Sequence, residues 1–324
     1  MAVMKHRVPL FRRTTCILAG SGAIIATFAA TSCMLTRPAL KGAGTPPAAL
    51  GAVSVRFASA SGSLIHAWLM PGRPGRGAVL LLHGVGASRA SMLGRAGFLH
   101  DAGFTVLAPD FQAHGESPGE HITFGALESK DAEAAIAFLR DNDPGERVGV
   151  IGVSMGGAAA VLASTPVPTD AFVLESVYPT IHDAVADRLG VWLGPLGFFG
   201  HALAPAVIRV LGSSIGVSED QLRPIDRIGC ADAPLLLIAG TGDEYTPLTE
   251  SRALFARAHG PKEFWAVEGA GHEDLHAFAT TEYERRVGTF LAEHLRRGGA
   301  PTEPPGERTA DSSCVTAAVK ARHR

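Results

Sequence analysis

The chain has 324 residues, a formal net charge of −2, 46% hydrophobic and 19% charged residues, which excludes disorder of the whole chain. Charge this nearly balanced, with no polybasic run, gives no sign of a nucleic-acid partner. The 38 Gly and 21 Pro follow no repeat period, which removes collagen-like and solenoid architectures.

The N-terminus is basic and then apolar. Lys5, Arg7, Arg12 and Arg13 precede an uncharged run from Thr14 to Leu35, and no acidic residue occurs before Asp101. A basic stretch followed by an apolar one is an export signal, and the run is also long enough for a retained membrane anchor. Either outcome places the rest of the chain outside the cytoplasm. Ala30-Thr31-Ser32-Cys33 resembles a degenerate bacterial lipoprotein box, with Ala30 where a larger aliphatic residue is usual, so lipidation at Cys33 stands beside plain cleavage and a retained anchor. Arg12-Arg13 is a weak twin-arginine signal. Residues 1–36 therefore read as an export signal or membrane anchor. Residues 37–51, with Pro38, Pro46 and Pro47, read as a linker. Cys16, Cys33, Cys230 and Cys314 show no disulfide framework, and Cys230 reads as a buried, inert thiol.

Residues 52–297 alternate short apolar runs with helical patterns. The strand-like runs are Val53–Phe57, Leu64–Met70, Ala78–Leu82, Thr105–Ala108, Val148–Val153, Ala171–Leu174, Leu235–Ala239 and Glu263–Val267. The central ones are continuously apolar, as strands covered on both faces must be. Leu127–Arg140 and Tyr283–Leu295 repeat apolar residues at helical spacing. This alternation predicts an α/β fold with a mostly parallel, eight-stranded sheet and helices on both faces. The first two strands are joined by the polar loop 59–63 and are expected to form an antiparallel hairpin. About 176–232 is too long for an ordinary connection and reads as a helical cap insertion. Residues 298–324, rich in Gly, Pro, Thr and Glu, read as a disordered tail.

The chemistry begins at Gly152-Val153-Ser154-Met155-Gly156, which follows an apolar strand and leads into the small-residue run Gly157–Ala160. G-x-S-x-G places a serine nucleophile on a sharp strand-to-helix turn, and the next amide can hold an oxyanion. A second match, Gly212-Ser213-Ser214-Ile215-Gly216, leads into Val217-Ser218-Glu219-Asp220 with no close-packing helix after it, so Ser154 is favoured over Ser214 on context. Leu80–Leu82 runs into His83-Gly84-Val85-Gly86, a glycine-rich turn where Val85 is the simplest second oxyanion donor. Asp243 lies just past an apolar strand, and His272 follows Gly269-Ala270-Gly271 after the last strand. The order Ser154, Asp243, His272 is that of a hydrolytic triad. Competing readings are Asp243 as a cap of the following helix, and Glu175 or Asp170 as the acid. His83 reads as a structural hydrogen-bonder, and Asp110 and His114 as loop-shaping residues. His272-Glu273-Asp274-Leu275-His276 is a literal H-E-x-x-H, but that zinc motif needs an established helix and two glycines stand before it. No cofactor and no metal are expected.

These motifs resemble those of α/β-hydrolases of the bacterial esterase and serine-aminopeptidase-like group, over about Val53 to Leu295. Asp110-Phe111-Gln112-Ala113-His114-Gly115-Glu116-Ser117 resembles the family's D-x-x-G-H-G-x-S loop, with Ala113 in place of a common Gly. Arg223–Ile228 and Ala233-Pro234-Leu235 resemble its run out of the cap. The resemblance implies Ser154 as nucleophile, His272 as base, Asp243 as the orienting acid, and the amides of Met155 and Val85 as the oxyanion hole. It implies hydrolysis of a small-molecule ester or amide without a cofactor. Trp192, Leu193, Phe198 and Phe199 in the cap point either to an apolar acyl or alkyl pocket or to the cap's own core. An esterase for medium-length apolar groups is the first reading. A peptidase, amidase or thioesterase is the alternative, and a catalytically silent surface binding module is the reading outside enzymes.

Overall fold

In a computed structural model the chain is described at residues 30–163 and 169–296. Residues 1–29 and 298–324 of the expected signal and tail lie outside this range. Ten strands occur among the described residues: β1 (Ala39–Leu40), β2 (Val53–Ala58), β3 (Leu64–Met70), β4 (Ala78–Leu82), β5 (Thr105–Pro109), β6 (His114–Gly115), β7 (Val148–Val153), β8 (Ala171–Glu175), β9 (Leu235–Gly240) and β10 (Lys262–Val267). Eight of them form one sheet in the order β10-β9-β8-β7-β4-β5-β3-β2. Only β3 runs against its neighbours, in the expected hairpin with β2.

The alternation of side chains along a strand explains the layering. Leu80, Leu82, Val150, Leu174 and Leu237 point to one face, where they meet the cap and the helices α3 (Glu128–Asn142) and α4 (Met155–Leu162). Val79, Leu81, Ile151, Val173 and Ile238 point to the other, against α2 (Leu93–Asp101) and α9 (Thr280–Leu295). Both faces are dry, so the central strands carry no polar alternation.

Between β8 and β9 lie the cap helices α5 (Ile181–Trp192) and α6 (Gly200–Ile215), which pack on one another. Thr180 caps α5 by accepting from the Asp183 amide at 3.1 Å. α7 (Leu248–Arg257) follows β9, and the short α8 (Leu275–Phe278) precedes α9.

The N-terminal boundary differs from the sequence reading. Residues 30–36 are helical (α1), with Ser32 and Thr36 buried and the Thr36 carbonyl accepting from the Ile122 amide at 2.9 Å. Residues 37–51, expected to be a linker, lie on the domain. β1 pairs with β6, the Ala39 amide donates to Ala113 O at 2.8 Å, and Ala43 and Leu50 pack on the core. A proline-rich composition signals an extended backbone, and an extended backbone is equally suited to adding a strand. Cys230 also departs from expectation: it is half-buried and disulfide-bonded.

Candidate active site

Ser154 stands between the end of β7 and the start of α4 with φ 51° and ψ −116°. A non-glycine residue in this region is strained and persists only where its surroundings hold it. Here the Ser154 amide donates to Glu175 O at 2.8 Å, and the Ser154 carbonyl accepts from Ala158 at 3.0 Å. The flanking glycines are steric necessities. A Cβ on Gly156 would lie 2.3 Å from Leu82 O, and one on Gly152 would lie 2.6 Å from the Gly157 Cα. Ser214, by contrast, ends α6 at the surface and returns its hydroxyl to Val210 O at 2.9 Å, with Gly216 closing the helix in the left-handed conformation. The second G-x-S-x-G is a helix C-terminus.

The turn after β4 approaches the same serine, since a Cβ on Gly84 would sit 3.7 Å from the Ser154 Cβ. Two buried histidines fix this turn. His83 Nδ1 donates to Gly84 O at 2.8 Å, while its Nε2 accepts from the Phe111 amide at 3.1 Å. Burial, with His114 beside it, pushes the His83 pKa down to about 3, so the ring stays neutral with its proton on Nδ1. His114 Nε2 accepts from the Gly86 amide at 3.1 Å and its Nδ1 donates to Gln112 O at 3.0 Å. Asp110 accepts from the Arg89 and Glu116 amides at 2.7 and 2.8 Å and pairs with the Arg89 guanidinium. All three serve as the loop-shaping groups expected of them. Ala113 lies at φ 57°, the backbone reason for a glycine in the related loop pattern.

Asp243 follows β9 with its side chain fully shielded. Its Oδ1 accepts from the amides of Tyr245 and Thr246 at 2.9 and 2.8 Å, and its Oδ2 lies 2.8 Å from His272 Nδ1. The helix cap reading fails because α7 begins at Leu248 after Pro247. Glu175 and Asp170 are engaged elsewhere. Glu175 is bound by Arg95 and Tyr283, and Asp170 holds the Val148 amide at the start of β7, the opposite end of that strand from Ser154. The H-E-x-x-H residues also separate, because His272 is in a loop facing Asp243 while His276 lies on α8 and faces Glu284 at 3.0 Å.

A cleft with an almost wholly apolar lining opens over Ser154, Met155 and Val85. Its roof is one face of α5. Ile181, Ala184, Val185, Arg188, Leu189 and Trp192 recur at the spacing of three and four that a helix needs to present a single stripe. Arg188 is the only charged group on the lining among the described residues; burial lowers its pKa, and its guanidinium sits 5.6 Å from the centre of the Tyr245 ring. Tyr245 in turn packs edge-on against His272 at 5.7 Å. Of the four cap residues expected at an acyl pocket, Trp192 lines it. Leu193, Phe198 and Phe199 do not, and the two phenylalanines are exposed rather than in a cap core. Leu35, from α1, is a lining residue that sequence reasoning missed, because it stands inside the apolar run assigned to the signal.

A model of the Alpha/beta hydrolase family matches residues 79–286. The chain belongs to that family. This hydrolase is 32% identical over 216 residues to the uncharacterized protein Rv2307c of Mycobacterium tuberculosis, covering 66% of this chain and 69% of that one. It is 37% identical over 76 residues to human alpha/beta hydrolase domain-containing protein 17B, covering 24% of this chain and 26% of that one. Among solved structures, the esterase Pf2001 of Pyrococcus furiosus matches with a TM-score of 0.66 and 25% identity, covering 78% of this chain and 95% of the esterase. Membership of the family implies a small-molecule substrate.

Proposed function

We propose that this hydrolase cleaves carboxylic esters of medium-length apolar acyl or alkyl groups through an acyl-enzyme on Ser154. The reading rests on one observation: a strained, buried Ser154 heads α4 on the floor of an apolar cleft. In the proposed reaction His272 Nε2 takes the Ser154 proton as Oγ attacks the ester carbonyl carbon. Asp243, held by two amides, keeps the other proton of the ring on Nδ1 and offsets the imidazolium charge. The carbonyl oxygen becomes an oxyanion beside Met155, whose amide in the first helical turn has no intrahelical acceptor, and beside the turn carrying Val85. His272 then protonates the departing alkoxide, and water repeats the sequence on the acyl-enzyme to release the acid.

The lining favours esters over peptides. Among the described residues of the lining the single charged group is Arg188, and none is a carboxylate placed to hold a peptide amino terminus. Hydrolysis of p-nitrophenyl esters of increasing chain length, with fluorophosphonate labelling and peptide mapping, tests the reading. Ser154→Ala should lose turnover and label, whereas Ser214→Ala should keep both. Turnover of Ser154→Ala at the parent rate would overturn the assignment, and a folded protein that neither labels nor hydrolyses would favour a silent binding module. Export, with membrane attachment through the N-terminal apolar run, belongs to the same proposal, and the intact mass of the mature chain distinguishes lipidation of Cys33 from cleavage and from a retained anchor.

A further inference from the structure

Among the described residues, four of the large apolar side chains left in water lie together at the tip of the cap. Trp192 is 50% exposed, Leu196 56%, Phe198 73% and Phe199 47%. They fall within one turn-rich stretch, Trp192–Phe199, and the Phe198 and Phe199 rings touch at 4.1 Å. From Leu189 to Ser218 there is no acidic residue and Arg209 is the only cation besides His201. An exposed aromatic patch within a stretch so poor in charge marks a binding surface. α6 behind it is anchored, with Ala204, Val207, Ile208 and Leu211 buried against the rest of the protein. The exposed side is therefore a fixed face.

We infer that this cap tip docks on a phospholipid bilayer and that the cleft over Ser154 opens toward that bilayer. Two observations choose the occupant. Trp192 belongs to both the patch and the cleft lining, so the apolar surface is continuous from outside to the candidate nucleophile. Leu35, from the N-terminal helix α1, lines the same cleft, with Met34 beside it 73% exposed. Leu35 is the last residue of the 22-residue uncharged run that follows four basic side chains, which is the part of the sequence suited to a membrane. The last residue of the membrane-directed run, Leu35, and the cap-tip residue Trp192 thus line one cleft.

The cap lies on the bilayer rather than crossing it. Gly194–Ile215 is apolar enough to span, with mean hydropathy 1.4, but its continuous helix α6 is about 24 Å long against roughly 30 Å of hydrocarbon. One face of that helix is already committed to the protein core. A few aromatic side chains entering the headgroup–acyl boundary fit an interfacial mode of binding. An ester chain leaving the bilayer could then pass Trp192 into the cleft without crossing water; this route rests on the Ser154 reading, while the docking does not.

The test uses the full chain reconstituted in phosphatidylcholine vesicles with or without bromine on the acyl chains. Trp68 and Trp265 are buried, so Trp192 is the exposed emitter among the three tryptophans. Docking predicts that brominated lipid quenches a component of the emission that Trp192→Phe removes. Absence of that quenching in vesicle-bound protein overturns the proposal. So does a dimer in lipid-free detergent in which Trp192 is shielded, because a second copy would then cover the patch. A second measurement compares Phe198→Ser/Phe199→Ser with the parent on a vesicle-embedded ester and on a soluble short-chain ester. The soluble rate should stay unchanged, and the embedded rate should fall by about tenfold, since apolar area no longer leaves water. An unchanged ratio overturns the proposal. Quenching needs no turnover, so failure of the Ser154 assignment would leave the docking result intact and readable.

Discussion

Asp243→Asn is the sharpest perturbation of the candidate site, because the structure dictates which way the new amide must face. Oδ1 of Asp243 accepts from the Tyr245 and Thr246 amides. Only an oxygen can fill that role, so the Asn carbonyl takes the Oδ1 position and its NH2 is turned toward His272 Nδ1, where Oδ2 stood at 2.8 Å. Two donors cannot face each other, and the imidazole must move its proton to Nε2. Nε2, the nitrogen proposed to take the serine proton, then has no lone pair for it. In triads, loss of the correct tautomer costs about 10⁴-fold in kcat, or about 5 kcal/mol of transition-state stabilisation at roughly 1.4 kcal/mol per decade. Both amide bonds to the turn survive, so melting temperature should barely change. The assay is kcat for a p-nitrophenyl ester beside a thermal melt of the same preparation. A folded Asp243→Asn protein keeping more than a tenth of the parental kcat would refute the argument that Asp243 fixes the tautomer.

Three further outcomes follow from the packing and electrostatics. Gly156→Ala places a methyl 2.3 Å from Leu82 O, backbone that cannot rotate away, so stability in a denaturant titration should drop by about 1–3 kcal/mol or more. Burial, then the neighbouring Asp187, push the Glu250 carboxyl from its ordinary 4.5 up to about 9. A carboxyl raised on folding holds a proton that the unfolded chain has lost, so stability should decline as pH rises from about 4.5 to about 9. Melting temperatures across that window should show the decline, and Glu250→Gln should flatten it; a parent curve flat over the same range contradicts the burial argument. His83 is neutral above about pH 3, so His83→Gln should lower activity through the Gly84 turn without shifting the midpoint of the pH–rate profile between pH 5 and 9. A shifted midpoint would make His83 a titrating participant.

Much of the molecule was legible in the chain itself. The central strands, buried on both faces, had to be continuously apolar, and the eight strand-like runs became the eight strands of the sheet with small changes at their ends. Gly152 and Gly156 could be read as the glycines of a sharp turn because the steric demand at such a turn is local. The loop roles of His83, Asp110 and His114 followed from the same kind of local chemistry.

What composition and pattern could not decide were the partnerships between distant residues. Glu175 and Asp243 both follow apolar strands, and either could have been the acid. Only the packed fold commits Glu175 to Arg95 and Tyr283 and presents Asp243 to His272. Phe198 and Phe199 are as hydrophobic as any core residue, so their exposure is a property of how α5 and α6 meet. The segment 37–51 looks like a linker because proline disfavours helix, yet β6 offers it a parallel partner from 75 residues away, as the Ala39–His114 pairing shows. Sequence alone determined the local conformations and the inventory of reactive groups, since those depend on neighbours along the chain. Tertiary structure decided which groups meet and which apolar surfaces stay uncovered, because burial and hydrogen bonding depend on neighbours in space.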